Sequence, residues 1–373
     1  MVSSDLTVSG DLTVSRDLTV PRRGRGALSN AVGRFEPEQR VAFDDGWGSA
    51  DEELAPLATT LIVDSTRTII ARNSSPDVGF DRSINPYRGC EHGCVYCFAR
   101  PTHAYLGLSP GLDFESRIFV KPEAAKLLAG ELAKPGYVCQ PIAMGTNTDP
   151  YQPTERKLGI TRSILEVLQA ADHPVCIVTK SALIQRDIDI LAAMAKRRLA
   201  TVSLSVTTLD RGLARTLEPR AATPERRLET IRALAQAGIP TGVLAAPMIP
   251  ALNDAELEAI LAACKEAGAL TAGYVLLRLP HELKGLFREW LEAHVPGRAK
   301  HVMSLVTEMH GGKEYDAQWG RRQTGTGRHA EVLRIRFELA CKRLGLKHRG
   351  ASAQLDTTLF RKPARHGDQL SLL

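Results

Sequence analysis

Three cysteines carry the first chemical signal. Cys90, Cys94 and Cys97 form a C-x3-C-x2-C run within Ile84-Asn-Pro-Tyr-Arg-Gly-Cys-Glu-His-Gly-Cys-Val-Tyr-Cys-Phe-Ala-Arg100. Gly89 and Gly93 precede the first and second cysteines and let the loop turn tightly, because glycine takes conformations that a Cβ resists. Three thiolates so close in sequence converge readily on one inorganic centre. A cubane 4Fe–4S cluster takes four cysteines, so three leave one iron open to a substrate or cofactor. Tyr96, just before the third cysteine, is placed to line the space beside that iron. The rival reading is a structural zinc site. Zinc takes four ligands, commonly as two separated pairs. His92 and His103 are the available fourth donors, but the sequence has no second C-x2-C pair. Cys139, Cys176, Cys264 and Cys341 are scattered and read as buried apolar residues.

A second set of polar residues follows short apolar runs. Gly145-Thr146-Asn147-Thr148-Asp149-Pro150-Tyr151 is dense in hydroxyl, amide and carboxylate groups. It suits an ammonium or a ribose, and equally an Asp-Pro turn. Lys180 ends Val-Cys-Ile-Val-Thr. A cation there needs an anionic partner or a route to solvent, since an unpaired buried charge is costly. Ser205, Thr207 and Thr208 close another β-branched run. Glu218 precedes Pro219 and a helix, and offers a carboxylate to a salt bridge or a polar cofactor group. Ala245-Ala246-Pro247 is small enough to admit a flat ring or to pack tightly.

These residues need a scaffold that brings them together. Leu61–Val63 and Thr68–Ile70 flank Asp64-Ser65-Thr66 and predict an N-terminal hairpin. Strand and helix patterns then alternate. Strands are expected over 84–88, 138–145, 175–179, 201–206, 240–246 and 273–279. Helices are expected over 122–133, 158–171, 186–197, 224–237, 254–267 and 282–294. Pro122 suits a first helical turn, and Gly238 and Gly268 suit helix stops. Six strand–helix units predict an α/β fold with a parallel sheet. Six cannot close as eight do, so the expectation is an open six-unit β/α partial barrel. In parallel α/β folds chemistry gathers at the carboxyl ends of the strands, where all these residues would lie.

The cysteine loop with its aromatic residue resembles the radical S-adenosylmethionine (SAM) superfamily. Residues from about 84 to 344 further resemble spore photoproduct lyase and its relatives. The matching features are Tyr96 and Phe98, Asp149, Val178-Thr179-Lys180, Ser205, Leu217-Glu218-Pro219, Ala246-Pro247-Met248 and Trp319-Gly320-Arg321. The resemblance implies the partial-barrel fold, and a 4Fe–4S cluster on Cys90, Cys94 and Cys97 whose open iron chelates SAM. One electron then cleaves the sulfonium and releases a 5′-deoxyadenosyl radical, which abstracts hydrogen from a substrate. Tyr96, Thr148, Asp149, Lys180, Ser205, Glu218 and Ala246 are the expected cofactor contacts. An electron donor such as flavodoxin or ferredoxin is the implied partner, and nucleic acid is the leading substrate expectation.

One position departs from the lyase pattern. The lyase has a hydrogen-donating cysteine just after the second strand, and Thr146 stands there. Its O–H bond is much stronger than a thiol S–H. Tyr96 and Thr146 are therefore the candidate catalytic positions. Cys139 is expected at the opposite end of the same strand, more than about 20 Å away over seven residues.

The bulk numbers fit this reading. The chain has 373 residues, 43% hydrophobic and 24% charged, with net charge +6 and seven cysteines. That is ordinary for a soluble globular protein with one large core. No apolar run reaches a membrane span, nor does an apolar signal core open the chain. A cytoplasmic protein is expected. Residues 1–57 read as a disordered extension, with Asp-Leu-Thr-Val repeated three times over 5–20 and a basic arm at Arg22, Arg23 and Arg25 that reads as a solvated tail. The barrel is assigned to 58–295, a basic helical C-terminal extension to 296–350 and a tail to 351–373. Arginines and lysines over 318–350 suit a phosphate-bearing substrate or a solvated helix. The rival functions are a non-catalytic nucleic-acid-binding protein with a structural metal loop, and a fold relative that has lost activity.

Overall fold

The computed structural model describes residues 23–36, 57–348 and 355–363. The Asp-Leu-Thr-Val repeat, Arg22, most of the acidic stretch before residue 57, Arg349 and the chain end lie outside the described residues. In chain order the strands are β1 (Thr60–Val63), β2 (Ile70–Arg72), β3 (Arg82–Ile84), β4 (Tyr87–Arg88), β5 (Arg117–Val120), β6 (Ile142–Met144), β7 (Val175–Thr179), β8 (Ala200–Ser205), β9 (Thr241–Met248), β10 (Thr271–Leu276) and β11 (Lys347–His348).

Eight strands form one open sheet in the order β11-β10-β9-β8-β7-β6-β3-β2. Every pair from β3 to β11 is parallel, and β2 joins β3 antiparallel. Six consecutive members, β3 and β6 to β10, correspond to the six expected strands. The sheet does not close, and β2 and β11 are its edges. Helices follow the strands at 124–132, 160–170, 188–195, 224–236, 257–266 and 283–294. Each sits inside its expected range, trimmed by up to a few residues.

Local chemistry explains the elements. β7 buries Val175, Ile177 and Thr179 fully on one side of the pleat while Cys176 and Val178 are partly buried, the alternation a strand imposes. On the helix after β6, Ile160, Ile164, Leu165 and Leu168 form the buried stripe. Burying such a side chain contributes about 1.5–3 kcal/mol. The helix 224–236 begins at Thr223, whose Oγ1 accepts the Arg226 N–H at 3.4 Å, with Pro224 in the first turn.

Several expectations are corrected. Residues 61–63 and 68–70 do not form a hairpin. β1 pairs parallel with β5, whereas β2 pairs with β3 in the other sheet. Asp64 does not close a hairpin: it holds Arg88 at 2.6 Å and accepts the Thr66 N–H at 3.0 Å. The strand expected over 84–88 is split, because Asn85 and Pro86 break the ladder and β4 pairs with β5. β6 is only three residues long, Ile142–Met144, shorter than the 138–145 expected.

Residues 23–36 do not stand apart from the rest of the fold. Ala27, Leu28 and Arg25 are buried, and Arg25 donates from Nη1 to the Glu115 carbonyl and from Nη2 to the Leu57 carbonyl, both at 2.6 Å. The solvated-tail reading fails for Arg25 because these carbonyls take its charge. Residues 355–363 also pack onto the fold. Phe360 lies edge-on to His173 with ring centres 5.4 Å apart, and Asp356 holds Arg198 at 2.8 Å.

Candidate functional site

Register decides which residues meet. Met144 pairs with Ile177, Thr179 with Leu204, and Ser205 with Leu244. The carboxyl ends of β6, β7, β8 and β9 therefore lie along one edge of the sheet. Thr146, Lys180, Ser205 and Ala246 leave the strands there and line one cavity of about 200 Å³ with Cys90, Cys94 and Cys97. Tyr96, Thr148 and Asp149 line it too. Glu218 is not a wall residue but lies directly behind Tyr96 and Lys180.

The cysteine loop folds as its glycines suggest. Gly89 and Gly93 have φ of +82° and +68°, values that favour glycine. A Cβ on Gly93 would stand 2.8 Å from Glu115 Oε2. The loop is fixed from within by Arg100, which is fully buried. Its Nε donates to the Cys94 carbonyl at 2.9 Å, and its Nη1 to the Pro110 and Gly111 carbonyls. Glu115 neutralises Arg100 and accepts the N–H groups of Gly26 and Ala27 at 2.9 and 2.8 Å.

Burial pushes the Cys90, Cys94 and Cys97 thiols up, and neighbouring Asp149 and Glu218 add to it at Cys90 and Cys94 respectively. Three thiols held this way gain from a cationic metal centre that stabilises their thiolates. Among the described residues, no three His, Cys, Asp or Glu side chains close on one ion's position.

Polar groups opposite the thiols form a closed network. Asp149 accepts from Thr179 Oγ1 at 2.7 Å, the Lys180 N–H at 2.8 Å and the Tyr151 N–H at 2.9 Å. Burial raises the Asp149 carboxyl, but His92, at 3.4 Å, and these hydrogen bonds outweigh it and leave the acid below its usual range. The Asp149-Pro150 turn and the polar site are thus the same structure. Thr148 is buried, and its hydroxyl donates to the Tyr87 carbonyl at 3.1 Å. Thr146 hydrogen-bonds Asn85.

Lys180 does not reach freely to solvent: its side chain is 16% exposed. The ammonium donates to Ser205 Oγ at 2.5 Å, lies 3.3 Å from Glu218 Oε1 and sits 5.6 Å from the centre of the Tyr96 ring. Burial lowers it to about 8, with Cys94 pulling the other way. Glu218 is fully buried. It accepts from the Tyr96 hydroxyl, from Thr207 Oγ1 at 2.6 Å and from Arg227. Burial nonetheless leaves its acid raised. The Ala246 carbonyl accepts from Ser205 Oγ at 3.1 Å.

Cys139 precedes the amino end of β6 and does not line the cavity, whereas Thr146 follows the carboxyl end and does. Cys264 and Cys341 are buried as expected; Cys139 and Cys176 are only partly so. Two of the four arginines of the 327–344 helix, Arg334 and Arg336, are committed. Arg334 is held by Glu331 and Glu338 and Arg336 by Glu258, all at 2.6 Å.

Three site residues escaped the sequence reading. Arg227 neutralises Glu218, and it falls on the buried stripe with Thr230, Ile231 and Leu234, a spacing that marks a buried cation. Asn85 accepts the Asn147 and Thr148 N–H groups at 3.0 and 3.3 Å. Arg278 lies two residues past β10 with its guanidinium 4.2 Å over the Phe98 ring.

Comparison with known proteins agrees with this geometry. Residues 84–264 match the family model of the Radical SAM superfamily. An uncharacterized protein of Mycobacterium tuberculosis is 38% identical over 214 residues, 57% of this chain and 63% of that protein. The chain thus spans less than two thirds of that relative's length. An uncharacterized protein of Methanocaldococcus jannaschii is 28% identical over 173 residues, 46% of this chain and 62% of its own. Among solved structures, spore photoproduct lyase complexed with dinucleoside spore photoproduct superposes with a TM-score of 0.53 at 16% identity, covering 77% of this chain and 81% of the lyase. A mutant lyase with bound AdoMet and dinucleoside spore photoproduct gives the same values. At that identity the likeness shows the fold.

Proposed function

With residues 84–264 matching the family model of the Radical SAM superfamily, we propose that the protein is a radical SAM enzyme. In this reading its open sheet is a six-unit partial barrel, Cys90, Cys94 and Cys97 hold a 4Fe–4S cluster, and SAM occupies the cavity they share with the strand ends. The observation that carries the reading is that shared cavity. It gathers three buried thiols and the polar groups leaving β6, β7, β8 and β9. When bound, the cluster supplies the electron that cleaves SAM to a 5′-deoxyadenosyl radical for hydrogen abstraction.

The chain's own residues bind, orient and shield. Lys180 is the cation for the SAM carboxylate, held in place by Ser205 and Glu218. Glu218 is in turn locked by Arg227, so it stays fixed when Lys180 turns to a ligand. The Tyr96 ring stands over Lys180, and its hydroxyl is committed to Glu218. Asp149 ties the loop after β6 to the end of β7 and keeps Thr148 and Thr146 at the rim. Ala246 leaves room on the β9 side for a flat ring. The substrate is a separate molecule admitted past Thr146. A threonine cannot donate hydrogen as a thiol does, so thymine-dimer reversal is not part of this proposal. An external one-electron donor is required.

The test is anaerobic reconstitution with metal analysis. About four irons and four sulfides per chain are expected, and the reduced protein should release 5′-deoxyadenosine from SAM. Alanine at Cys90, Cys94 or Cys97 should abolish iron binding, while alanine at Cys139, Cys176, Cys264 or Cys341 should not. An active protein with stoichiometric zinc and no iron requirement overturns the reading.

A further inference from the structure

A second cavity, of about 570 Å³, opens outside the first and shares Phe98, Thr146, Asn147 and Arg278 with it. Three arginines, Arg34, Arg278 and Arg322, line this outer cavity, and among the described residues no carboxylate does. Two of the three are spent. Arg34 is held by Glu282 at 2.7 Å, and Arg322 by Asp77. Arg278 has no carboxylate within ion-pair reach among the described residues. Its contact is the face of Phe98 at 4.2 Å, a cation–π geometry that steadies a guanidinium while leaving its N–H donors to a ligand.

The position of Arg278 is built rather than incidental. The Leu276 N–H donates to the Gln323 carbonyl at 2.9 Å, and the Leu277 N–H to the Met248 carbonyl at 3.0 Å. His310 Nε2 donates to the Leu277 carbonyl at 2.9 Å. Phe98, the platform, follows Cys97 directly in the chain. Burial lowers the Arg278 guanidinium because it desolvates the charge, a cost that a bound anion would offset. Arg278 stands at the junction of the two cavities, so a group it holds lies within reach of both.

We propose that Arg278 is the anchor for an oxyanion, phosphate or carboxylate, on the substrate of this enzyme, which enters through the outer cavity. The proposal rests on the radical SAM reading and adds to it the chemical class of the substrate and the residue that orients it. A planar guanidinium grips either oxyanion with paired N–H bonds. Held there, the remainder of the substrate is directed past Thr146 and Asn147 into the inner cavity, where hydrogen abstraction takes place.

The test uses the reconstituted protein with SAM bound and calorimetric titration with inorganic phosphate and, separately, acetate. Saturable binding of at least one is expected, and the stronger of the two identifies the oxyanion. Arg278→Gln should weaken that binding roughly tenfold or more, the loss of a charge-assisted contact. Arg278→Lys, which keeps the charge, should retain part of it. Iron content and SAM affinity, measured on the same samples, should stay within about twofold of the parent. The proposal is overturned if neither anion binds, or if Arg278→Gln binds as the parent does. It is equally overturned if Arg278→Gln loses SAM, since the arginine would then serve the cofactor. A chain that takes up no iron yet binds the anion through Arg278 would sink the cluster reading, and hydrogen abstraction with it, and leave only the anion anchor standing.

Discussion

Lys180 ends an apolar strand with a charge, and its neighbours explain why the fold tolerates it. Ser205 and Glu218 stand within contact, and Glu218 keeps Arg227, Tyr96 and Thr207 if the lysine is removed. Lys180→Ala should therefore fold and hold the same iron as the parent, yet bind SAM roughly tenfold or more weakly. Equilibrium binding to the reconstituted protein checks this; normal affinity would remove Lys180 from the cofactor site. The pH dependence has a definite sign. Burial lowers the ammonium to about 8 in the free protein. It is charged below that pH and neutral above, so affinity for a carboxylate should fall as pH rises through 8.

The cysteine loop depends on elements far from it in sequence. Glu115 ties it to residues 23–36 by accepting from Gly26 and Ala27 and neutralising Arg100. The approach is close: a Cβ on Gly26 would stand 1.8 Å from the Gly93 carbonyl oxygen. Removing one partner of a buried pair leaves the other charge uncompensated, at a cost of about 3–5 kcal/mol. Glu115→Ala should lower the denaturation midpoint accordingly. It should also speed the loss of iron absorbance in air, because the loop is then free to open. Parent-like stability and air sensitivity would show that residues 23–36 do not clamp the loop.

At the scale of the molecule, the amino-end face of the sheet carries a different chemistry from the site. His173 is buried there against Tyr137 and Phe360. Its Nδ1–H donates to the Pro174 carbonyl at 3.0 Å, and Nε2 accepts from the Tyr137 hydroxyl at 2.8 Å. Burial lowers this histidine to about 4. The unfolded chain, with an ordinary histidine near 6.5, takes up the proton first as pH falls. Stability from this residue is thus complete above about pH 6.5 and lost between there and 4, on the order of 3 kcal/mol. His173→Gln should show a smaller drop in urea midpoint between pH 7 and 4 than the parent. An equal drop would place the acid sensitivity elsewhere, with His103, lowered by burial to about 4, the next to test. No helix among the described residues is long and apolar enough to cross a membrane.

The cysteine triplet, its glycines and the six alternating units were legible in the sequence, because they are local. Spacing fixes which side chains a tight loop presents, and hydrophobic period fixes strand against helix. The order of strand ends, with Thr146, Lys180, Ser205 and Ala246 on one edge, followed from parallel topology alone. Partners distant in sequence were not legible. Glu218 with Arg227, Asn85 with the loop after β6, Arg25 with Glu115, and β1 with β5 are settled by which surfaces meet on folding. Arg278 looked like any arginine after a strand. Only the tertiary structure sets it on Phe98 between two cavities, where among the described residues no carboxylate forms an ion pair with it: Glu282 is held by Arg34 and Asp77 by Arg322.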